Sequence, residues 1–441
     1  PMPSGRAGTA DPDTRLHRGI SPPLLFVFVL GSVLGAGVYA LTGELAAEAG
    51  GIIWLPVLIA LAMALLTASS YAELVTKYPR AGGAAIFAQR AYRRPLVSFL
   101  VGYCMLAAGV VSVAGLAIAF AGDYLTTFLD VPPSVAAPVF LVLVALLNAR
   151  GIKESVRSNL VMTAVEFGGL VLVVVLAGIA LSGGTGDLSR ATQTPESGVA
   201  SAVLGAAMLA FYSFVGFETS ANVAEEVQDV SRVYPRALFA ALGATGLIYL
   251  LVALASVAMV PVDELGESSG PLLRVVEATG VGLPSWLFSL IALIAVANGA
   301  LLSSIMSSRL VYGMAEEGLL PAVLARVLPN RRTPWVAILV TATLSIILSV
   351  VGTLAMLAET VVLFLLFVFL STNIAVLVLR KDRVDHKHFR TPRVLPVLAI
   401  VSCLVLLTQA ALQVWLLAGA LLVLGAGLYG LQRRSSTTRR R

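Results

Sequence analysis

The sequence predicts an all-α polytopic membrane protein of about twelve transmembrane helices. Three observations lead there. The chain is 58% hydrophobic and only 12% charged, with mean hydropathy +0.93, apolar runs long enough to cross a bilayer follow one another along it, and its basic residues gather in alternate gaps between those runs. No ordinary soluble domain combines such values.

A helix rises ~1.5 Å per residue against a hydrocarbon core ~30 Å thick, so apolar runs of about 17 to 25 residues qualify as spans. The first five run over Leu24 to Ala47, Ile52 to Val75, Leu96 to Ala121, Val135 to Asn148 and Leu160 to Leu181. Five more follow at Ala200 to Ala224, Ala237 to Val260, Trp286 to Met314, Trp335 to Val351 and Ala358 to Leu379. The last two, Val394 to Ala410 and Leu412 to Leu431, are separated only by the turn signal of Gln409 and Gln413.

With the N-terminus placed in the cytoplasm, every basic residue except Arg190 and Arg274 falls on the inner side. That distribution obeys the positive-inside rule and puts both termini in the cytoplasm of a multi-pass cell (plasma or inner) membrane protein. Residues 1–21, with Arg6, Asp11, Asp13, Arg15 and Arg18, form a polar tail that does not resemble a secretory signal. The basic tail over 432–441 reads as a solvated end drawn to anionic lipid, so the net charge of +6 does not imply a nucleic-acid partner. Cys104 and Cys403 lie inside apolar runs and read as buried thiols. His386 and His388, in "HKH", read as solvated loop residues, and no cofactor or metal is expected. There is no H-E-x-x-H and no Cys/His cluster, and an enzyme is not expected.

Two spans contain residues that weaken a helix. "GSVLGAGVYALTG" in the first carries Gly31, Gly35, Gly37 and Gly43, and "FYSFVGFETSANVAEE" in the sixth carries Ser213, Gly216 and Glu218 near its middle. Either one alone fits a small-residue packing face. Together, in spans of opposite direction separated by five crossings, they fit inverted repeats over 22–181 and 198–380 whose first helices are each interrupted at the midplane, with peripheral spans over 394–431. An interrupted helix frees amide donors at the start of its second half and carbonyl acceptors at the end of its first, a pairing that suits a zwitterion. The carboxylate would sit against N–H groups from Gly35, Ala36, Gly37 and Val38, with Ser32 before the break as a further hydroxyl. Around the second break the candidates are Phe211, Ser213, Phe214, Gly216, Phe217 and Glu218. Phe214 and Phe217 would either cover the ligand or serve as core aromatics, and Glu218 would satisfy the break or recognise a cationic ligand.

These motifs resemble those of the amino acid–polyamine–organocation permeases, in particular the bacterial amino-acid permeases and the cationic amino-acid transporters. "GSVLGAGVY" is similar to the family's first-span G-x-x-x-G-x-G-I-F, with Val38 and Tyr39 in place of Ile and Phe. "FVGFETSANVAEEVQDVSRVYPRAL" resembles the sixth-span pattern, and "NGALLSSIMSSRLVYGMAEEGLLP", Asn298 to Pro321, resembles the eighth-span signature, with Glu316 and Glu317 where Arg-Asp is usual. The resemblance implies a leucine-transporter-like fold of ten core helices plus two. It implies secondary active amino-acid transport by alternating access, with substrate held at the broken first and sixth helices. Amine or polyamine substrates, and an ion or solute channel, are the alternatives.

The fifth span departs from the family. Where many relatives carry a lysine seven residues after the equivalent of Asn159, this chain has Glu166. An ionisable side chain within a span is expensive and marks function by default. Glu166 would carry a coupling proton, or ligate Na⁺ with carbonyls of the first span and hydroxyls from Ser303, Ser304 or Ser307, or merely hydrogen-bond a neighbouring helix. The expected coupling ion is H⁺, with Na⁺ as the alternative, and the transport modes are proton symport or amino-acid exchange.

Overall fold

In a bilayer the backbone cannot turn to water, so apolar segments of this length fold as helices that pair their own N–H and C=O groups. The computed structural model describes residues 20–35, 37–79, 83–150, 156–195, 198–328, 331 and 333–438. The expected substrate contact Ala36 and the tails over 1–19 and 439–441 lie outside the described residues.

The first part of the chain forms α1 (Pro22–Val33), α2 (Gly37–Ala49), α3 (Trp54–Lys77), α4 (Gly83–Tyr92), α5 (Pro95–Phe120), α6 (Asp123–Thr126), α7 (Pro133–Arg150) and α8 (Val156–Ser182). Then come α9 (Val199–Tyr212), α10 (Val230–Met259), α11 (Val262–Glu267), α12 (Pro271–Ala278), α13 (Ser285–Glu316), α14 (Trp335–Val351), α15 (Leu354–Leu379), α16 (Val394–Leu407) and α17 (Leu412–Thr438). Prolines begin α1, α5 and α12, where a missing N–H costs nothing.

Among the described residues nine helices are long and apolar enough to cross a membrane, or ten if α1 and α2, bent by 43° at their break, count as one span. Two shorter apolar helices, α14 with 17 residues and α16 with 14, coincide with the ninth and eleventh expected spans. A helix of 14 residues rises about 21 Å, well short of a full hydrocarbon core. The turn expected between the last two runs is present, since α16 stops at Leu407 and α17 starts at Leu412.

At the centre α5 packs along both α13 and α15; α10 packs along α3 and also along α1. Cys104 and Cys403 are buried free thiols. The helical hairpin α11–α12 is pinned to α2 and α6. Gly43 meets the Leu265 carbonyl too closely for any side chain, and the Asp123 carboxylate accepts from the hydroxyls of Ser268 and Ser269 at 2.9 and 2.7 Å.

At the other end of the bundle a polar seam ties α3 to the segment after α15. Glu73, 2% exposed, pairs with Arg380 at 2.9 Å and also accepts from the Thr391 amide at 2.9 Å. Lys77 donates to the carbonyls of Leu379 and Asp382 at 2.7 and 2.6 Å. Tyr78, just beyond α3, donates to the Asp382 carboxylate, and burial together with that bond holds its phenol above the usual range. His386 lies 3.2 Å from the Thr76 carbonyl, and among the described residues no group of His, Cys, Asp and Glu is arranged to hold a metal ion. Glu73 is thus a buried partner with each carboxylate oxygen engaged.

A buried pair that loses one member leaves the other charge uncompensated. Arg380→Ala is expected to destabilise the protein by about 3–5 kcal/mol, while replacing both members (Glu73→Gln with Arg380→Met) recovers part of that loss. Melting of the purified protein in detergent reads both outcomes.

Candidate functional site

The first break opens where α1 ends at Val33. The Leu34 amide still bonds back to the Leu30 carbonyl, at 2.8 Å, and α2 begins at Gly37. The carbonyl of Val33, at the end of α1, is taken by the Tyr249 hydroxyl of α10 at 2.8 Å. Ser32 donates its hydroxyl to the Phe28 carbonyl at 2.7 Å, so that proton serves its own helix. The four glycines of this stretch divide by what surrounds them. Gly31 is pressed against the Thr163 side chain of α8, Gly37 against α9, Gly43 against the α11–α12 connection, and Gly35 has open space where a Cβ would stand. The packing reading of Gly31 therefore holds for Gly31 and not for Gly35.

The second break follows α9. Amides of Ser213, Phe214 and Val215 bond three residues back, to Ala210, Phe211 and Tyr212 at 3.0–3.1 Å, tightening the last turn. Gly216 then takes φ +127°, a region that side chains avoid, and a 3₁₀ helix runs Phe217–Glu226. Glu218 is 5% exposed, and its Oε2 accepts from the Gly216 amide at 2.9 Å, capping the interruption from within its own strand of chain.

The two breaks touch. A Cβ on Gly216 would run into the Ser32 carbonyl, and one on Gly37 would stand 3.0 Å from the Ser213 Cα and 3.1 Å from its Oγ. Ser213 is buried and its hydroxyl has no hydrogen-bond partner among the described residues. Away from this contact the same two segments are joined again, Ile20 pairing with the backbone of Glu226 and Gln228 at 2.9 and 3.2 Å. Phe211, Phe214 and Phe217 are all at most 1% exposed. Phe217 stacks on Phe369 at 5.3 Å and Phe214 meets Tyr249 edge-on at 5.3 Å, which makes them members of the aromatic core around the breaks. Val38 is buried at the start of α2.

Glu166 lies on α8 beside the first break and is 1% exposed. Its Oε1 accepts from Asn298 Nδ2 of α13 at 2.9 Å, and its backbone carbonyl accepts from the Tyr39 hydroxyl of α2 at 2.7 Å. Tyr124 in turn donates to the Tyr39 carbonyl at 2.8 Å. Of the serines expected near Glu166, Ser304 has its hydroxyl engaged elsewhere. Ser304 accepts from Asn148 of α7 at 3.2 Å, and the Ser303 carbonyl accepts from Ser307 at 2.7 Å. Asn298 is the α13 residue hydrogen-bonded to Glu166, five and six positions before those serines and on a different side of the helix. Sequence reasoning quoted Asn298 only as the start of a motif. It also passed over Tyr39, Tyr249 and the Tyr212 hydroxyl, which meets Ser112 of α5 at 2.9 Å. Polar side chains scattered through apolar runs are the one sequence signal that could have found them.

The amino acid permease family profile matches residues 20–421. The chain belongs to the amino acid permease family. This permease is 27% identical over 420 residues to the branched-chain amino acid permease BcaP of Bacillus subtilis (strain 168), covering 88% of this chain and 89% of that protein. It is 29% identical over 330 residues to the chloroplastic cationic amino acid transporter 9 of Arabidopsis thaliana, covering 69% of this chain and 56% of that protein. To the methylthioribose transporter of Bacillus subtilis (strain 168) it is 28% identical over 415 residues, covering 88% and 86%. Family and relatives are permeases and transporters rather than enzymes, and the permease is a multi-pass membrane protein.

Backbone contact between the breaks sets how they tolerate change. Gly216→Ala combines a strained φ with a collision against backbone and is expected to cost about 1–3 kcal/mol or more. Gly35→Ala meets no atom and should leave the stability within about 0.5 kcal/mol of the parent. Parallel melting curves of the two variants test the assignment.

Proposed function

We propose that this permease is a secondary active amino-acid transporter working by alternating access, with the substrate held where the two interrupted spans meet. The observation that carries the reading is the backbone contact of Gly216 with Ser32 and of Gly37 with Ser213. It brings the opening amides of α2, which no helical carbonyl can serve, beside a turn whose buried Ser213 hydroxyl lies at the same junction. An amino acid carries one group for each, a carboxylate for the N–H end and an ammonium for carbonyls and hydroxyl. Helix interruption at membrane depth is tolerable only around protein-lined space, and the open position at Gly35 supplies room there.

In this reading the chain crosses the cell membrane twelve times, α14 and α16 included, with both ends in the cytoplasm and residues 22–181 and 198–380 as inverted repeats. The names of its relatives support an amino acid as substrate, branched-chain or cationic, while the methylthioribose transporter shows that a relative of equal similarity handles a different solute. Amines remain the second substrate class because the junction is built from backbone.

Coupling is assigned to Glu166, buried at 1% exposure with a neutral amide as its side-chain partner. A site of that kind is better suited to exchanging a proton than to holding Na⁺, which asks for several oxygen ligands, and Ser304, expected to supply one of them, is bonded to Asn148 instead. Uptake into proteoliposomes across a panel of labelled amino acids, with a pH gradient, a sodium gradient or neither, tests this. Accumulation driven by acid outside and indifferent to sodium is expected. Glu166→Gln should abolish accumulation while exchange persists; unchanged accumulation by that variant sinks the proton assignment, and flux far above carrier turnover without a gradient would favour a channel.

A further inference from the structure

Glu166 sits at a crossing of four segments. One turn before it, Thr163 is packed against Gly31 of α1; its own carbonyl takes the Tyr39 hydroxyl of α2; its carboxylate reaches across to Asn298 of α13. A single turn of α8 thus grips the first span on both sides of its break, and the carboxylate connects that turn by a hydrogen bond to α13. What the carboxylate meets there is an amide, which can donate through Nδ2 or accept through Oδ1, matching an ionised acid with one edge and a protonated acid with the other.

We propose that Asn298 is the positioning residue of the coupling site, holding ionised Glu166 to α13 by donation from Nδ2 and, once a proton arrives from the aqueous side, accepting the new O–H through Oδ1 after the amide turns over. The carboxyl then stays in register with α13 in both states, and the same proton leaves to the opposite side. This rests on the reading of Glu166 as the proton carrier. The charge-assisted bond to the ionised acid is roughly twice as strong as its neutral counterpart, so Asn298 sets where the site exchanges its proton.

The other titratable groups facing Glu166 are hydroxyls, Tyr39 from α2 and Tyr249 from α10. The α1 helix contains no titratable side chain. On α12, Arg274 and Glu277 pair with each other at 3.3 Å on the surface, and on α13 Arg309 lies about three turns beyond Asn298. Arg232 and Arg236 stand near the start of α10, more than three turns before Tyr249. Asn298 is accordingly the polar side chain best placed to tell one protonation state from the other.

The test is a pH titration of the Glu166 carboxyl band in infrared difference spectra of the full-length permease in lipid, with Glu166→Gln identifying the band. Asn298→Leu is expected to move the titration midpoint toward alkaline pH by about one unit, the worth of a hydrogen bond to a charged group, and Asn298→Ser, which restores a donor, by less. A midpoint unchanged in both variants overturns the proposal, as does a lowered melting temperature with no shift, the mark of a packing role. Should Asn298→Leu fail to fold, Asn298→Ser alone decides between shift and no shift. The result is separable from the coupling reading: Glu166→Gln that still accumulates substrate removes the reading even if the midpoint moves, and an unmoved midpoint with Glu166→Gln inactive removes only the role of Asn298.

Discussion

A membrane-spanning chain has no water with which to pair its backbone, and that constraint governs everything else in this permease. Long apolar helices satisfy it by themselves. The two places where the helix stops, after Val33 and after Tyr212, do not, and they are stacked on one another with the Ser32 carbonyl against Gly216 and Ser213 against Gly37. Each interruption is served by a neighbour: Tyr249 covers the Val33 carbonyl and Glu218 takes the Gly216 amide. Glycine is required at two of these positions for separate reasons, a positive φ at Gly216 and a backbone approach at Gly37.

The same constraint explains where polar side chains are found. Tyr39, Tyr124 and Tyr249 all spend their hydroxyls on carbonyls in or near the first break, each reaching from or to a different helix. Such bonds locate interrupted chain relative to intact helices and supply donors that the helix itself no longer provides. Buried charges follow the companion rule that they are paired or given a polar partner. Glu73 meets Arg380 at one end of the bundle, whereas Glu166 meets the neutral amide of Asn298.

Much of the architecture could be read from the chain. The apolar runs located nearly every membrane helix to within a few residues, and the turn at Gln409 was legible because two polar residues interrupted otherwise continuous apolar sequence. The glycine and Ser-Gly-Glu clusters marked both breaks. Less legible was the meaning of each glycine, because Gly31 and Gly35 share one spacing yet one is packed against Thr163 and the other faces open space. Glu73 also escaped, since its partners Arg380 and Thr391 lie more than three hundred residues away in sequence.

By itself the sequence determined that the protein is a multi-pass helical membrane protein and that its first and sixth apolar runs are interrupted, because hydropathy and helix-breaking residues are local properties. Only the tertiary structure decided that the two interruptions lie against each other, that the Ser304 hydroxyl is bonded to Asn148, and that Asn298 is the α13 residue hydrogen-bonded to Glu166. Those are contacts between helices, fixed by the rotation of each about its axis, and no periodicity within a uniformly apolar span records that rotation.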